Sequence, residues 1–359
     1  MARIDALFKA MVEAGASDLH LVAGQKPIVR IHGQIERFEG HNELENFPLR
    51  TMLYEITPDG RKEDFEKTGD ALFSYDLPEM GRVRATLFQQ KHGCAGAFRL
   101  IPSSIQSIEQ LGLPAILTRV AMLRSGLVLI AGLAGSGKST TLAAMIDYAN
   151  QHRKGHIITI EEPIEFVHQS QGSIVNHREV GHHTQSFAAG LKAALREDPD
   201  IILVGEMRDQ QTIRLAIETA LTGRLVFGTL HLRNVAMAVE RLIEAFPYEE
   251  QEQIRNALSA SLKILVTQDL FNRSDEKGRC AALEVVVCSP AVSSLIREGK
   301  TDQISSTIKP DKALGTQRLD DSILDLVNKK WISAEEAYEK CREKARFKPF
   351  LTTAPDELV

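Results

Sequence analysis

The second part of the chain alternates short apolar runs with stretches that carry apolar residues at helical spacing. In chain order, the runs are GLVLIAG, GHIITIEEP, DIILVGE and RLVFGTLH. Uninterrupted apolar runs are typical of strands buried on both faces, and the intervening helices predict a parallel sheet. We therefore predict an α/β domain over residues 115–359, with a parallel-rich sheet, helices on both faces and a mostly helical C-terminal third. Ser333 and Glu336 form a predicted capping box in that third.

Residues 1–100 have a different pattern, in which a short predicted helix precedes strand-like segments. SDLHLVAGQKPIVRIHGQIERF is interrupted by Gly24, Pro27 and Gly33, which indicates strands joined by hairpin turns. RVRATLFQQKHGCAGAFRLI predicts an arginine-bearing sheet. We expect a small α+β domain here, followed by an interdomain linker over residues 101–114. The last residues, LTTAPDELV, are predicted to form a frayed tail.

Composition narrows the possible functions. The chain has 359 residues, a net charge of -5 and four cysteines that form no CxxC pair. The acidic balance argues against nucleic-acid binding along the whole surface, and the cysteine spacing predicts neither a zinc cage nor a disulfide framework. The N-terminus lacks the apolar core of a signal peptide, and no apolar stretch approaches the ~20 residues that span a bilayer. We expect a cytoplasmic protein with reduced, mostly buried thiols.

The residues between the first apolar run and the following helix form a phosphate-binding motif. GLAGSGKSTT begins at Gly132 and fits the pattern GxxxxGK[ST] through Gly137, Lys138 and Ser139. Glycines let consecutive backbone N–H groups face a phosphate, and the start of the helix adds a partial positive charge. Lys138 is expected to reach the β and γ phosphates of a nucleotide, while Ser139 holds Mg²⁺.

Three further runs place ionisable residues at the ends of predicted strands. ILVGEMRD brings Glu206 to a carboxyl end, where a carboxylate can hold the magnesium shell. TIEEPIEFVH clusters Glu161, Glu162 and Glu165, which either activate an attacking water or form a solvated acidic loop. TGRLVFGTLH ends in His231, which is either a γ-phosphate sensor or a structural histidine.

In order and approximate spacing, these four motifs resemble those of the secretion ATPase superfamily, whose members power type II secretion and type IV pili. The resemblance extends from SDLHL to the C-terminal helices. Within the superfamily the chain looks like the pilus retraction ATPases, because it shows neither a long extra N-terminal domain nor a four-cysteine zinc site. It also carries AVSSLIRE at residues 291–298, similar to the AIRNLIRE motif of retraction motors. We predict a short amphipathic helix there, with Arg297 and Glu298 on its wetter side.

The resemblance implies a RecA-like P-loop ATPase core, a PAS-like N-terminal domain and ATP bound between them in a homohexameric ring. It implies that Glu165 is the catalytic base, with Glu162 in the same acidic box. Glu206 is the implied Walker B carboxylate, which holds Mg²⁺ together with Ser139, and His231 is the histidine-box residue. The residues implied to bind ATP are Gly135, Ser136, Gly137, Lys138, Ser139 and Thr140, with the N-terminal arginines Arg82, Arg84 and Arg99.

The same resemblance implies a motor that retracts type IV pili and so drives twitching motility. Its implied partners are the inner-membrane platform protein or the pilus base, and a sibling pilus motor; no nucleic acid is expected. The protein is then expected to lie peripherally at the inner membrane. A pilus assembly or type II secretion ATPase of the same superfamily remains an alternative, as do a RecA-like nucleic-acid translocase and a small-molecule kinase.

Several residues depart from the family pattern. Glu162 stands where the family usually carries an aspartate, and Arg224 where it usually carries a first histidine, so we expect activity with an altered rate. VNHREVGHHTQSF contains His177, His182 and His183. Because no cysteine accompanies them and their spacing fits no usual zinc pattern, a polar loop near a subunit interface is preferred to a metal site.

Overall fold

The chain folds into two compact units. The computed structural model describes residues 2–31, 34–77, 80–101, 104–275, 278–307 and 314–351. The N-terminal unit runs to Ile105 and also includes Pro163–Val167. The C-terminal unit comprises Gln106–Glu162 and the chain from His168 onward. A short segment of the acidic run therefore groups with the N-terminal unit, which the order of motifs along the chain does not indicate.

The N-terminal unit contains an antiparallel sheet with helices packed against it. In the spatial order β3-β2-β1-β6-β5-β4, its strands are β1 (Asp18–Val22), β2 (Ile28–Ile31), β3 (Gln34–Arg37), β4 (Asp70–Leu77), β5 (Gly81–Gln90) and β6 (Gly93–Ile101). Its helices are α1 (Asp5–Glu13), α2 (Asn46–Ile56) and α3 (Asp59–Thr68). Val83, Ala85 and Leu87 alternate with less buried residues along β5, so one face of the sheet forms the core. The predicted α+β domain is confirmed.

The C-terminal unit is built on a larger sheet. In the spatial order β13-β12-β7-β11-β10-β8-β9, its strands are β7 (Gly126–Ala131), β8 (His156–Glu161), β9 (Ile174–Glu179), β10 (Ile201–Val204), β11 (Leu225–Leu230), β12 (Leu262–Asn272) and β13 (Arg279–Val287). All neighbouring pairs in this sheet are parallel except β12 with β13. The predicted parallel-rich sheet is therefore confirmed.

Helices cover both faces of this sheet. They are α4 (Ile116–Ala121), α5 (Lys138–His152), α6 (Phe187–Ala194), α7 (Gln210–Leu221), α8 (Val235–Glu244), α9 (Tyr248–Ser261), α10 (Pro290–Arg297), α11 (Ile304–Thr307), α12 (Leu319–Asn328), α13 (Ala334–Lys340) and α14 (Lys344–Phe347). In β7, Leu127 and Leu129 join one buried cluster, while Val128 and Ile130 join another. Because successive side chains of a strand point to opposite faces, this explains the continuous apolar run in the sequence.

Two features of the structure differ from the sequence prediction. The C-terminal third contains the predicted helices, but it also contains β12 and β13, which the sequence analysis missed and which form one side of the sheet. His177 does not lie in a polar loop but in β9, where its ring packs beside that of His168. β9 lies at the edge of the sheet, where a strand can carry many polar residues. Its sequence therefore lacks the continuous apolar run by which the other parallel strands were predicted. In the described part of the chain, no three ionisable or thiol side chains form a group suited to a metal ion.

The capping box predicted at Ser333 and Glu336 forms only in part. Ser333 accepts a hydrogen bond from the backbone N–H of Glu336 at the start of α13, but the Glu336 carboxylate accepts from Asn272 and Lys340 instead of from Ser333 N. Residues 291–297 of the segment AVSSLIRE lie in α10 and Glu298 caps its end, with Val292 and Ile296 buried and Arg297 exposed. All four cysteines are free thiols. Of the helices that the structure describes, none combines the length and apolar character required to cross a membrane.

Candidate nucleotide site

A glycine-rich loop joins the end of β7 to the start of α5. Gly132 has φ 155° and Gly137 has φ 85°, and Gly137 caps the first turn of α5. A Cβ atom on Gly132 would lie 2.4 Å from Ser136 Oγ and 2.6 Å from the carbonyl of Gln268. Only glycine fits this turn, which directs the loop toward the amino end of a fifteen-residue helix. That end is a ready phosphate-binding position.

The lysine of the loop is held against the loop's own carbonyl groups. Lys138 is 7% exposed, and its Nζ donates to Gly132 O at 2.7 Å and to Leu133 O at 2.8 Å. Ser136 is also buried, and its Oγ has no hydrogen-bond partner. A buried hydroxyl without a partner is costly unless a ligand or water satisfies it. The loop therefore offers both a fixed cation and a polar atom to a bound group.

Three strands bring the other motifs to the same edge of the sheet. β11 lies between β7 and β10, and all three run parallel, so their carboxyl ends are adjacent. Gly132 N donates to Leu230 O at 3.2 Å, which places the beginning of the P-loop beside the residue that precedes His231. The hydroxyl of Thr229 donates to the carbonyl of Gly205, the residue before Glu206. Glu206 and His231 are thereby fixed beside each other.

The carboxylate of Glu206 is paired on both oxygens. Its Oε1 lies 3.1 Å from His231 Nε2, and its Oε2 lies 2.5 Å from Arg208 Nη2. Burial opposes ionisation of Glu206, but the Arg208 hydrogen bond and the charge of His231 outweigh it and lower the pKa of the carboxyl. A carboxylate that stays ionised suits a role in binding a cation or its water shell.

The acidic run contributes to the C-terminal unit through its first two glutamates. Glu161 ends β8, and its Oε1 lies 3.9 Å from His177 Nδ1. The exposed Glu162 follows directly. The hydrogen bond to Glu206 and, to a smaller extent, the negative charge of Glu162 raise the pKa of Arg208. Both Glu206 and Glu162 therefore stabilise the positive charge of Arg208, a residue that the sequence analysis did not identify.

Glu165 belongs to the N-terminal unit, where it pairs with an arginine of β5. Arg84 Nη1 lies 3.3 Å from Glu165 Oε1. Arg82 Nη1 donates to the carbonyl of Ile164 at 3.1 Å, and Ser74 Oγ donates to the same carbonyl at 3.2 Å. These contacts fix the segment Pro163–Val167 to β4 and β5.

The third N-terminal arginine has a different partner. Arg99 Nε donates to Asp18 Oδ1 at 2.8 Å, and Asp18 lies opposite Arg99 where β1 pairs with β6. Burial opposes ionisation of Asp18, but hydrogen bonds from Ser17 and Arg99 lower the pKa of its carboxyl below the usual value. The structure thus brings Arg82 and Arg84 to the Glu165 segment and pairs Arg99 with Asp18, which had not been singled out.

The remaining predicted residues lie in the first turns of α5 and the loop before it. Gly135 and Ser139 are exposed, and Thr140 is half-buried. The support of this loop comes from a residue that sequence analysis missed, Gln268 of β12. Its Nε2 donates to Ser136 O at 2.7 Å, and its Oε1 accepts from Thr141 Oγ1 at 2.8 Å. A glutamine within the apolar run LKILVTQDLFN was the available signal.

Comparison with known proteins gives consistent matches. The sequence profile described as "Type II/IV secretion system protein" matches residues 2–339. The chain is 45% identical over 339 residues to the type IV pilus retractation ATPase PilT of Pseudomonas aeruginosa, covering 94% of this chain and 98% of that protein. It is 44% identical over 316 residues to a twitching motility protein of Neisseria gonorrhoeae, covering 88% and 84%. The crystal structure of the pilus retraction motor PilT with bound ADP matches with a TM-score of 0.86 at 39% identity, covering 96% of this chain and 99% of that one.

Proposed function

Because the chain belongs to the type II/IV secretion system protein family, we propose that it is an ATP-hydrolysing motor that drives type IV pilus retraction. The observation that carries the proposal is the 45% identity to a pilus retraction ATPase along 94% of the chain. The geometry supports the same activity, since the P-loop, Glu206 and His231 meet at one edge of a parallel sheet. Turnover of ATP by this site is the chemical step from which the mechanical work is drawn.

The residues present fit Mg²⁺ and ATP. The glycine turn, the buried hydroxyl of Ser136 and the start of α5 suit phosphate oxygens. Backbone N–H groups from Gly135 to Thr140 bind the phosphates, and Lys138 moves its ammonium from the loop carbonyls to the β and γ phosphates. The Ser139 hydroxyl and the Glu206 carboxylate would be the oxygen donors that hold the metal or its water shell. When bound, Mg²⁺–ATP supplies the phosphoryl group, and the metal neutralises its negative charge.

Glu165 serves in this proposal as the general base that orients and deprotonates the attacking water. Glu162 adds a second carboxylate to the acidic box. His231 contacts the γ phosphate and, at 3.1 Å, the proposed Walker B carboxylate Glu206, so it links the two. Arg82, Arg84 and Arg99 supply positive charge toward the transition state. Glu165, Arg82, Arg84 and Arg99 belong to the N-terminal unit, and the P-loop belongs to the C-terminal unit.

The proposal includes a homohexamer that acts at the inner membrane on the pilus platform protein or the pilus base, beside a sibling motor. Deletion of the gene in the source organism tests it against an assembly or secretion ATPase of the same family. We expect excess surface pili and loss of twitching, restored by the wild-type gene but not by a Lys138→Ala copy. Cells without pili would instead assign the chain to assembly, and unchanged pili with defective protein export would assign it to secretion.

A further inference from the structure

A buried carboxylate of β13 pairs with a guanidinium from the C-terminal helices. Glu284 is 3% exposed, and its two oxygens accept hydrogen bonds from Arg342 Nη1 at 2.8 Å and Nη2 at 2.9 Å. A carboxylate at this depth is strongly unfavourable without a partner. A bidentate guanidinium fixes geometry as well as charge. This ion pair therefore joins the sheet rigidly to the chain that follows α13.

The backbone of Arg342 is held to α12. Asp320, in the first turn of α12 and 4% exposed, accepts from Arg342 N at 3.0 Å and from Glu343 N at 2.7 Å. Phe347 of α14 packs in the same buried cluster as residues of α12 and β12. The position of Arg342 is consequently set by the C-terminal helices.

One connection leads from Glu284 to the P-loop. Glu284 Oε2 also accepts from Thr267 Oγ1 at 3.2 Å, and Thr267 lies opposite Glu284 in the β12–β13 pair. The next residue of β12 is Gln268, which holds the carbonyl of Ser136 and the hydroxyl of Thr141. Glu284 and the P-loop are therefore hydrogen-bonded to adjacent residues of one strand.

A second connection leads from Arg342 to the loop that follows His231. Arg342 Nη2 donates to the carbonyl of Arg233 at 3.3 Å. The next residue, Asn234, caps α8 by accepting from Ala236 N at 2.8 Å. The loop between β11 and α8 is therefore held at two places: Asn234 caps α8 at the end of the loop, and Arg342 binds the carbonyl of Arg233. Its other end carries His231, which lies against Glu206.

We propose that Arg342 is a positioning residue for ATP turnover. It sets the place of the His231 loop directly and supports the P-loop through Glu284. The inference rests on the proposed ATPase function and adds to it a role for the C-terminal helices. The packing of these helices positions Arg342, and the Arg342–Glu284 pair in turn supports the P-loop and the loop that follows His231.

The substitution that tests this role is Arg342→Lys in the full chain. Lysine keeps the positive charge near Glu284, but it cannot donate bidentately to Glu284 and reach the Arg233 carbonyl at the same time. We expect kcat for ATP to fall roughly tenfold or more, the scale of misplacing a group near the reacting atoms. Glu284→Gln should act in the same direction, because an amide presents only one acceptor oxygen.

A matched control lies elsewhere in the same unit. Arg255 donates to both oxygens of Glu240 at 3.2 and 3.3 Å, and Thr301 Oγ1 donates to the same carboxylate. Arg255→Lys therefore makes the same chemical change in a second bidentate pair, which joins α8 to α9 and has a more exposed carboxylate than Glu284. Because Glu240 is more exposed than Glu284, Arg255→Lys should lower the melting temperature by no more than Arg342→Lys does, and it should leave kcat within about twofold.

A double-mutant cycle separates positioning from general stability. If Arg342 acts through His231, Arg342→Lys should reduce kcat much less in a His231→Ala background than in the wild type. Independent, multiplicative effects would overturn the role of Arg342 through His231, and equal kcat values for Arg342→Lys and Arg255→Lys would overturn the proposal as a whole.

Hydrogen exchange gives a readout that does not need turnover. Amides of residues 231–236 should exchange faster in Arg342→Lys than in Arg255→Lys. The experiments distinguish a failure of the proposed function from a failure of this inference. If the proposed function is wrong, wild-type protein hydrolyses no ATP, but the difference in hydrogen exchange between the two variants remains. Equal exchange in the two variants would overturn the inference whatever the ATPase activity.

Discussion

Arg84 Nη1 lies 3.3 Å from Glu165 Oε1, so the proposed catalytic base is paired with an arginine of its own unit. The two residues are 81 positions apart in sequence. Neighbouring contacts from Arg82 and Ser74 hold the carbonyl of Ile164 and fix the course of the chain beside this pair. The carboxylate is therefore carried and oriented by the N-terminal sheet, although its motif lies within the sequence of the ATPase core.

Replacing the base should separate nucleotide binding from hydrolysis. Glu165→Gln preserves the shape of the side chain but accepts no proton, so hydrolysis should slow by roughly a hundredfold or more. Binding of a fluorescent ADP analogue and ring assembly should remain near wild type. Glu161→Gln and Glu162→Gln are the matched controls. If either of these slowed hydrolysis to that extent while Glu165→Gln did not, the assignment of the base would be wrong.

Removing Arg84, the partner of Glu165, should affect catalysis more than folding. Arg84→Ala leaves the half-buried Glu165 without its cation, and we expect a lower kcat with only a small change in melting temperature, because ion pairs that remain in contact with solvent contribute little to stability. Arg50→Ala is the control, since Arg50 pairs with Glu66 on the same unit. Steady-state ATPase assays decide the point: equal kcat values for the two variants would mean that the Arg84–Glu165 contact has no part in turnover.

The P-loop lysine should be essential for both binding and turnover. Lys138→Ala removes the point charge that meets the β and γ phosphates, and also its hydrogen bonds to Gly132 and Leu133. We expect no measurable hydrolysis and weaker nucleotide binding by calorimetry. Lys9→Ala, on an exposed face of α1, should behave as wild type. Near-normal turnover by purified Lys138→Ala protein would refute the P-loop assignment.

Glu206, the proposed Walker B carboxylate, should make stability depend on pH. The pKa of Glu206 is lowered in the folded protein, so its contribution to stability is complete above the unfolded value near 4.5. That contribution is lost as the pH falls through the lower folded pKa. The difference in the free energy of unfolding between wild type and Glu206→Gln should therefore shrink below pH 4.5. Denaturant titrations across this range would contradict the arrangement if the difference grew toward acid pH.

The segment AVSSLIRE should be structural on its inner face. Ile296 is fully buried in α10 and Leu295 packs against the same core, so replacing both with Ala should lower stability and ATPase activity together. Truncation of a buried Ile costs about 2–5 kcal/mol. Arg297→Ala, on the exposed side, should leave unfolding and ATPase activity unchanged. A double variant that unfolds like wild type but has lost twitching would show that these two residues couple the motor to the pilus.

The sequence predicts those parts of the site that lie on neighbouring parallel strands. Glu206 and His231 each follow a continuous apolar run, and the parallel order of β10 and β11 is enough to bring them together. The contacts of Arg99 with Asp18 and of Arg84 with Glu165 join residues 81 positions apart, which no local periodicity relates. These contacts are consequences of tertiary packing.

The missed elements also have a physical cause. β12 follows α9 directly at Ser261 and Leu262, with neither glycine nor proline to mark the change from helix to strand. Since β12 was missed, Gln268 had no predicted place beside the P-loop. The Glu284–Arg342 pair was equally hidden, because the chain brings these residues together only after β13 and the C-terminal helices have packed.

The central claim is that ATP hydrolysis by this chain retracts a pilus, and the rate at which single labelled pili shorten tests it most directly. The measurement uses cells of the source organism in which this gene is replaced by wild type or by Glu165→Gln at equal expression. We predict that pili shorten at the normal rate with the wild-type gene, and that they extend but shorten far more slowly or not at all with Glu165→Gln. Unchanged shortening in cells that carry Glu165→Gln, whose purified protein has lost hydrolysis, would contradict the claim.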